Sequence, residues 1–65
     1  MLDIHEVYKF YREEVRKFYK NWIDYTDFEE SYCKASAEVD AVFSTAFKFN
    51  LDDYEVLKII SQIEG

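Results

Sequence analysis

The chain contains one imidazole and one thiol, His5 and Cys33, which are the side chains with the widest chemical range. A thiol becomes a nucleophile when a neighbouring imidazole takes its proton, and both groups bind transition metals. One of each is too few for a tetrahedral zinc site within a single chain. His5 falls at the start of the first predicted helix and Cys33 near the start of the second. In an antiparallel pair these positions lie at opposite ends, so we predict neither a nucleophilic pair nor a metal site.

Acidic residues stand next to one another at three places: Glu13-Glu14, Glu29-Glu30 and Asp52-Asp53. Paired carboxylates can share acid–base chemistry, but adjacent residues on a helix do not face one another. The twelve-residue calcium-binding loop of the EF-hand needs a central glycine, and phosphate-binding loops need several glycines. The only glycine is Gly65. The sequence therefore predicts no catalytic residue, no cofactor and no metal ligand, and we expect that the protein is not an enzyme.

Turn-forming residues are scarce, since the 65 residues include no proline and no glycine before the last position. Apolar residues instead recur every three or four positions, which is typical of amphipathic helices. This spacing predicts three helices, over about residues 3–24, 27–48 and 52–64. Residues with the spacing of a capping box precede the first two helices: Asp3 with Glu6, and Thr26 with Glu29. The third helix can be capped by Asn50 or Asp52.

Each predicted helix has one apolar stripe that we expect to face the interior. The first stripe consists of Ile4, Tyr8, Tyr11, Val15, Phe18 and Trp22. The second consists of Phe28, Tyr32, Ala35, Val39, Val42, Ala46 and Phe49, with Val39 and Val42 buried at the seam between the long helices. The third consists of Val56, Ile59, Ile60 and Ile63. The short connections require neighbouring helices to run antiparallel. We predict an all-α fold in one domain, 1–65: an antiparallel helical hairpin with a shorter third helix, forming a three-helix bundle.

Aromatic side chains are unusually numerous, with one Trp, six Tyr and six Phe. Each can bury about 150–250 Å², whereas a chain this short buries only about 60% of its unfolded surface. We therefore expect some rings to remain at the surface, where a partner protein or a second copy of the chain would cover them. Phe10, Tyr19 and Tyr25 are the predicted exposed aromatic contacts.

The formal charge of −6 is unevenly distributed along the chain. A basic stripe lies on the first helix: Lys9, Arg12, Arg16 and Lys20. The acids concentrate after residue 23, and the predicted contact acids are Glu30, Glu38, Asp40, Asp52 and Asp53. Three interpretations remain open: weak ion pairs within the hairpin, docking of the acidic side on a basic protein surface, and phosphate binding by the basic stripe. The net charge disfavours nucleic acid as a partner.

These features predict a small acidic interaction module that binds another protein and modulates it. In format, being short, acidic, helical and free of catalytic groups, the chain resembles the small inhibitors that phages and mobile elements make, anti-CRISPR proteins among them. That resemblance implies inhibition of a host protein. The alternatives are a homodimeric assembly module and a helical nucleic-acid-binding protein. The charged first twenty residues and the lack of a long apolar run predict a cytoplasmic protein without a membrane span.

Overall fold

The computed structural model describes residues 2–65, which form three α-helices: α1 (Ile4–Tyr25), α2 (Glu30–Phe49) and α3 (Asp53–Glu64). No strand occurs within those residues. α1 and α2 run antiparallel over most of their length, and α3 packs against both at one end. The predicted all-α three-helix bundle is confirmed, and each helix limit lies within three residues of its predicted position. Along the described chain, no helix combines the length and the apolar character that crossing a membrane requires.

The two ends of α1 are closed by side chains. The carboxylate of Asp3 accepts a hydrogen bond from the backbone N–H of His5 at 3.0 Å, which satisfies one of the free donors of the first turn. At the other end, the hydroxyl of Thr26 donates to the carbonyl oxygen of Trp22 at 2.6 Å. Thr26 therefore ends α1. The predicted capping box of Thr26 and Glu29 is wrong, because the hydroxyl is already engaged and Glu29 makes no side-chain cap bond.

The α2–α3 connection consists of a left-handed residue followed by a cap. Asn50 has φ 56°, a conformation that ends α2 and that asparagine tolerates better than most residues. The backbone N–H of Leu51 then donates to the carbonyl of Ala46 at 2.8 Å. Asp52 caps α3, and its backbone N–H donates to the Glu55 carboxylate at 3.2 Å. Of the two predicted caps, Asp52 takes the role and Asn50 closes the preceding helix.

The interior of α1 follows the predicted stripe. Tyr11 and Val15 of that stripe are buried, as is Val7 beside it. The other stripe residues are partly buried: Ile4, Tyr8, Phe18 and Trp22. α3 likewise buries Val56 and Ile59. The central cluster joins all three helices and consists of Tyr11, Val15, Ala41, Val42, Ala46 and Val56. Bulky α1 residues therefore meet mostly small α2 residues across the main interface.

The predicted inner face of α2 is wrong over the first half of the helix. A row of small residues at intervals of four has no exposed surface and faces the interior: Cys33, Ala37, Ala41 and Thr45. Phe28, Tyr32 and Val39, which were expected inside, are more than half exposed. A row of small side chains lets α1 approach closely and leaves room for the α1 rings, so the bulky α2 residues lie outside. Only Val42, Ala46 and Phe49 of the predicted stripe are buried or partly buried.

Candidate protein-binding surface

A row of apolar side chains lies uncovered along the outside of α2. We call it the α2 outer face and define it by Phe28, Tyr32, Ala35, Val39 and Phe43. The four larger side chains are each 51–56% exposed, although residues of these types are usually buried. Tyr32, Ala35, Val39 and Phe43 recur every three or four positions and so form one stripe along α2. Phe28 lies in the turn before the helix and extends the stripe through its ring contact with Tyr32. The expectation that rings would remain at the surface is confirmed.

A cluster of three rings closes one end of this face. The ring centroids of Phe28 and Tyr32 lie 4.7 Å apart, and Trp22 of α1 packs against them at 6.3 and 6.0 Å. The Trp22 indole Nε1 also donates to the Asp40 carboxylate at 3.0 Å. Because both contacts fix the indole, this end of the face is a rigid aromatic wall rather than a set of independent side chains.

Two shallow depressions border the centre of the face, and both are lined by Ala35 and Val39. One lies beside Trp22, Tyr32 and Asp40. The other extends toward α3 and includes a second group of apolar residues: Tyr11, Val42, Leu57 and Ile60. Leu57 is 53% exposed, so it extends the apolar surface onto α3. Small residues at the centre with larger ones at both ends give a shape into which a protruding side chain can fit.

The charged residues that line the two depressions are all acids: Glu38, Asp40 and Glu64. Asp40 accepts a hydrogen bond from the neutral Trp22 indole, and Glu64 accepts one from the Tyr8 hydroxyl at 2.7 Å. The bond to Glu64 raises the pKa of Tyr8, so the tyrosine stays neutral. The apolar surface therefore has an acidic border.

Lysine and arginine do little to neutralise this border within the molecule. The one ion pair within 4.0 Å in residues 2–65 joins Lys17 Nζ to Glu14 Oε2 at 3.6 Å. Glu14 also accepts a hydrogen bond from Ser44 at 2.6 Å, which places that pair at the α1–α2 interface. Internal ion pairing, one of the three interpretations of the charge distribution, thus accounts for one pair in the described chain. The acids of the α2 outer face remain available to bind a partner.

Of the predicted contact aromatics, Tyr25 is the most exposed, at 83%. Phe10 is only partly exposed, because its ring meets Phe49 edge-on at 5.7 Å and Lys48 Nζ lies 5.8 Å from the ring centroid. Tyr19 is also only partly exposed. Its hydroxyl donates to Glu30 at 2.9 Å, a bond that raises the pKa of Tyr19. Tyr19 and Glu30 therefore join α1 to the start of α2.

The predicted contact acids lie in separate parts of the molecule. Glu38 and Asp40 border the α2 outer face. Asp52 and Asp53 are exposed at the start of α3, where their charge suits the helix N-terminus. The structure thus brings two of the five acids to the apolar surface. The sequence did not predict that the apolar residues of the α2 outer face lie at the surface. The row of small residues on the opposite side of α2 was the feature that could have indicated it.

His5 lies at the start of α1, whereas Cys33, on α2, lies beside the opposite end of α1. His5 is exposed in the first turn, whereas Cys33 is buried beside the C-terminal cap, with its Sγ 3.6 Å from the Thr26 hydroxyl. The Cys33 thiol also donates to the carbonyl of Phe28 at 3.7 Å. Since 22 helical residues span about 33 Å, the thiol and the imidazole are not neighbours. Cys33 instead fills the turn between α1 and α2.

The basic stripe on α1 is fully at the surface, since Lys9, Arg12, Arg16 and Lys20 are all exposed. None of the four lines either depression of the α2 outer face. The molecule thus presents an apolar surface with acids on α2 and α3, and a separate row of cations on α1.

No protein-family model, no curated protein and no solved structure matches this chain.

Proposed function

We propose that this chain is a small helical interaction module, acting in the cytosol, that binds another protein through the α2 outer face and modulates it. The observation that carries the proposal is the exposure of Phe28, Tyr32, Val39 and Phe43 in one stripe. Aromatic side chains on rigid helices are effective anchors at interfaces, because little conformational freedom is lost when they are covered. A catalytic role is not part of the proposal.

The proposed modulation is inhibition by occupying a surface that the partner needs, the mode implied by the resemblance to small phage inhibitors. The acidic border supports a basic rim on the partner, since complementary charges speed encounter and disfavour wrong orientations. Glu38 and Asp40 are the two predicted contact acids that this form of the proposal uses.

The test is affinity capture from an extract of the source cells, with Val39→Asp compared with the unchanged chain. Val39 lies at the centre of the face and is 53% exposed, so the variant should fold and should lose the captured protein. Ile23→Asp is the matched control, because Ile23 is a branched side chain 42% exposed on α1 and lines neither depression. Equal recovery with Val39→Asp and with the control would contradict the proposal.

Homodimerisation through the same face is the second candidate function. From Tyr32 to Phe43 the apolar stripe lies on α2 at three- and four-residue spacing, and such a stripe can pair with its own copy across a two-fold axis. The acids of the border count against it, because two copies would bring like charges together. Analytical ultracentrifugation at low and high protein concentration distinguishes the two functions. A molecular mass that doubles at high concentration in the unchanged chain, but stays that of the monomer in Val39→Asp, would support the dimer.

A further inference from the structure

We propose that the partner contributes a single amphipathic helix with lysine or arginine along its edges, and that this helix lies along the α2 outer face. The inference rests on the proposed function and adds the chemistry and shape of the bound segment. It follows from three features of the face, namely its length, its lack of backbone hydrogen-bonding groups and the sign of its charges.

The dimensions of the face suit a helix. From Tyr32 to Phe43 the stripe covers twelve residues of α2, a rise of about 16 Å, which corresponds to three turns of a partner helix. Ala35 and Val39 are the smallest residues of the stripe and lie at its centre, so a partner backbone can approach closely there. The rings of Trp22 and Tyr32 limit the face at one end, and Leu57 flanks it on α3.

The backbone of the face offers an extended peptide nothing to pair with. α2 is a continuous helix from Glu30 to Phe49, so its interior N–H and C=O groups are bonded within it. Residues 2–65 contain no strand, and hence no sheet edge to which a peptide could add. Recognition must therefore come from side-chain packing, and an apolar helix edge with residues at intervals of three and four is the segment that supplies it.

The charges select among helices. The two depressions on either side of Ala35 and Val39 are lined by three acids: Glu38, Asp40 and Glu64. None of these acids has a lysine or arginine within 4.0 Å in the described chain. A bound helix with acidic edges would place like charges together at a water-poor boundary, whereas basic edges would pair with these acids. The same reasoning favours a basic partner over a second copy of this chain, whose own face carries the same acids.

The experiment is an NMR titration of the isotope-labelled full chain with synthetic helical peptides of about 15 residues. The probe has leucines at helical spacing on one side and lysines elsewhere. One control keeps the leucine pattern and replaces every lysine with glutamate, and a second scrambles the leucine–lysine sequence. We expect shifts in the amides of Ala35, Val39 and Leu57 and in the Trp22 indole, with the probe binding at least about tenfold more tightly than either control.

A charge variant tests the border directly. Glu38→Gln combined with Glu64→Gln keeps the size of both side chains and an acceptor for the Tyr8 hydroxyl, so the fold should be retained. We expect this variant to bind the leucine–lysine probe roughly tenfold more weakly, and to show a smaller loss of affinity when salt is raised. Equal binding of the probe and the scrambled peptide, or shifts confined to α3 beyond Leu57 or to α1 away from Trp22, would overturn the inference.

The outcomes separate the inference from the proposed function. If Val39→Asp abolishes capture of a cellular protein but the probe does not bind at Ala35 and Val39, the interaction module stands and the basic helix is wrong. If the glutamate peptide binds as tightly as the lysine peptide, the charge assignment is wrong. If the chain doubles in mass and Val39 lies in the dimer interface, then the α2 outer face binds a second copy of the chain and the inference fails.

Discussion

The indole Nε1 of Trp22 donates a hydrogen bond to the Asp40 carboxylate across 3.0 Å, joining the end of α1 to the middle of α2. The same indole packs against Phe28 and Tyr32. One polar contact therefore holds the aromatic wall of the α2 outer face in place. Asp40 thereby has two roles, since it also contributes negative charge to the border of that face.

Replacing Asp40 by alanine should lower stability and release the indole. A hydrogen bond to a charged group contributes about 1.5 kcal/mol, which for a domain of this size lowers the melting temperature by roughly 6–12 °C. Thermal unfolding followed by the fluorescence of Trp22, the one tryptophan in the chain, measures both effects. Asp40→Asn retains an acceptor oxygen and should lose less than half as much. Equal loss in the two variants would show that the contact does not stabilise the hairpin.

The close α1–α2 approach predicts a strong asymmetry between two alanines on α2. Ala37 has no exposed surface, whereas Ala35 is exposed on the outer face. Ala37→Leu inserts three carbon atoms into a closed interface and should cost about 1–3 kcal/mol or more. Ala35→Leu adds the same atoms at the surface and should change the free energy of unfolding by less than about 0.5 kcal/mol.

Urea denaturation of both alanine variants provides the measurement, since the two substitutions are chemically identical. Similar unfolding midpoints for Ala37→Leu and Ala35→Leu would contradict the assignment of the small-residue row to the interior. A midpoint lowered only in Ala37→Leu would support it.

The fold and the orientation of α1 could be predicted because its apolar residues lie on one side. Val7, Tyr11 and Val15 are buried, and the opposite side carries charges that stay in water. Burial of apolar area then has one solution for this helix. Helix limits followed from the same periodicity, although Thr26 was assigned to the wrong helix because its hydroxyl can serve either terminus.

The orientation of α2 could not be predicted because two of its sides are apolar. One carries rings and branched residues such as Tyr32 and Val39, and the other carries Cys33, Ala37 and Ala41. Hydrophobic periodicity favours burial of the larger side chains, whereas close packing against the α1 rings requires small ones. Which side of α2 is buried therefore depends on the side chains of α1, and the sequence pattern of α2 alone does not contain that information. The same ambiguity hid the candidate surface.

Val39 and Val42 should respond in opposite ways to the same substitution. Val42 is 7% exposed in the central cluster and Val39 is 53% exposed. Val42→Asp buries an unpaired carboxylate, which costs several kcal/mol against a total stability of roughly 3–10 kcal/mol for 65 residues, so this variant should be unfolded. Val39→Asp should keep its helical circular dichroism and unfold cooperatively. An unfolded Val39→Asp would restore the predicted stripe and remove the α2 outer face.

Tyr11 should make the fold sensitive to alkaline pH. Its side chain is 4% exposed, and burial raises its pKa to about 12, with the charges of Glu38 and Glu64 acting in the same direction. An unfolded tyrosine ionises near pH 10. The neutral ring therefore contributes stability that is complete below about pH 10 and is lost as the pH rises toward 12. Melting temperatures between pH 8 and 12 should fall less steeply for Tyr11→Phe, which cannot ionise, than for the unchanged chain. Every other side chain is the same in the two proteins, so parallel curves would show that Tyr11 ionises as easily in the folded state as in the unfolded one.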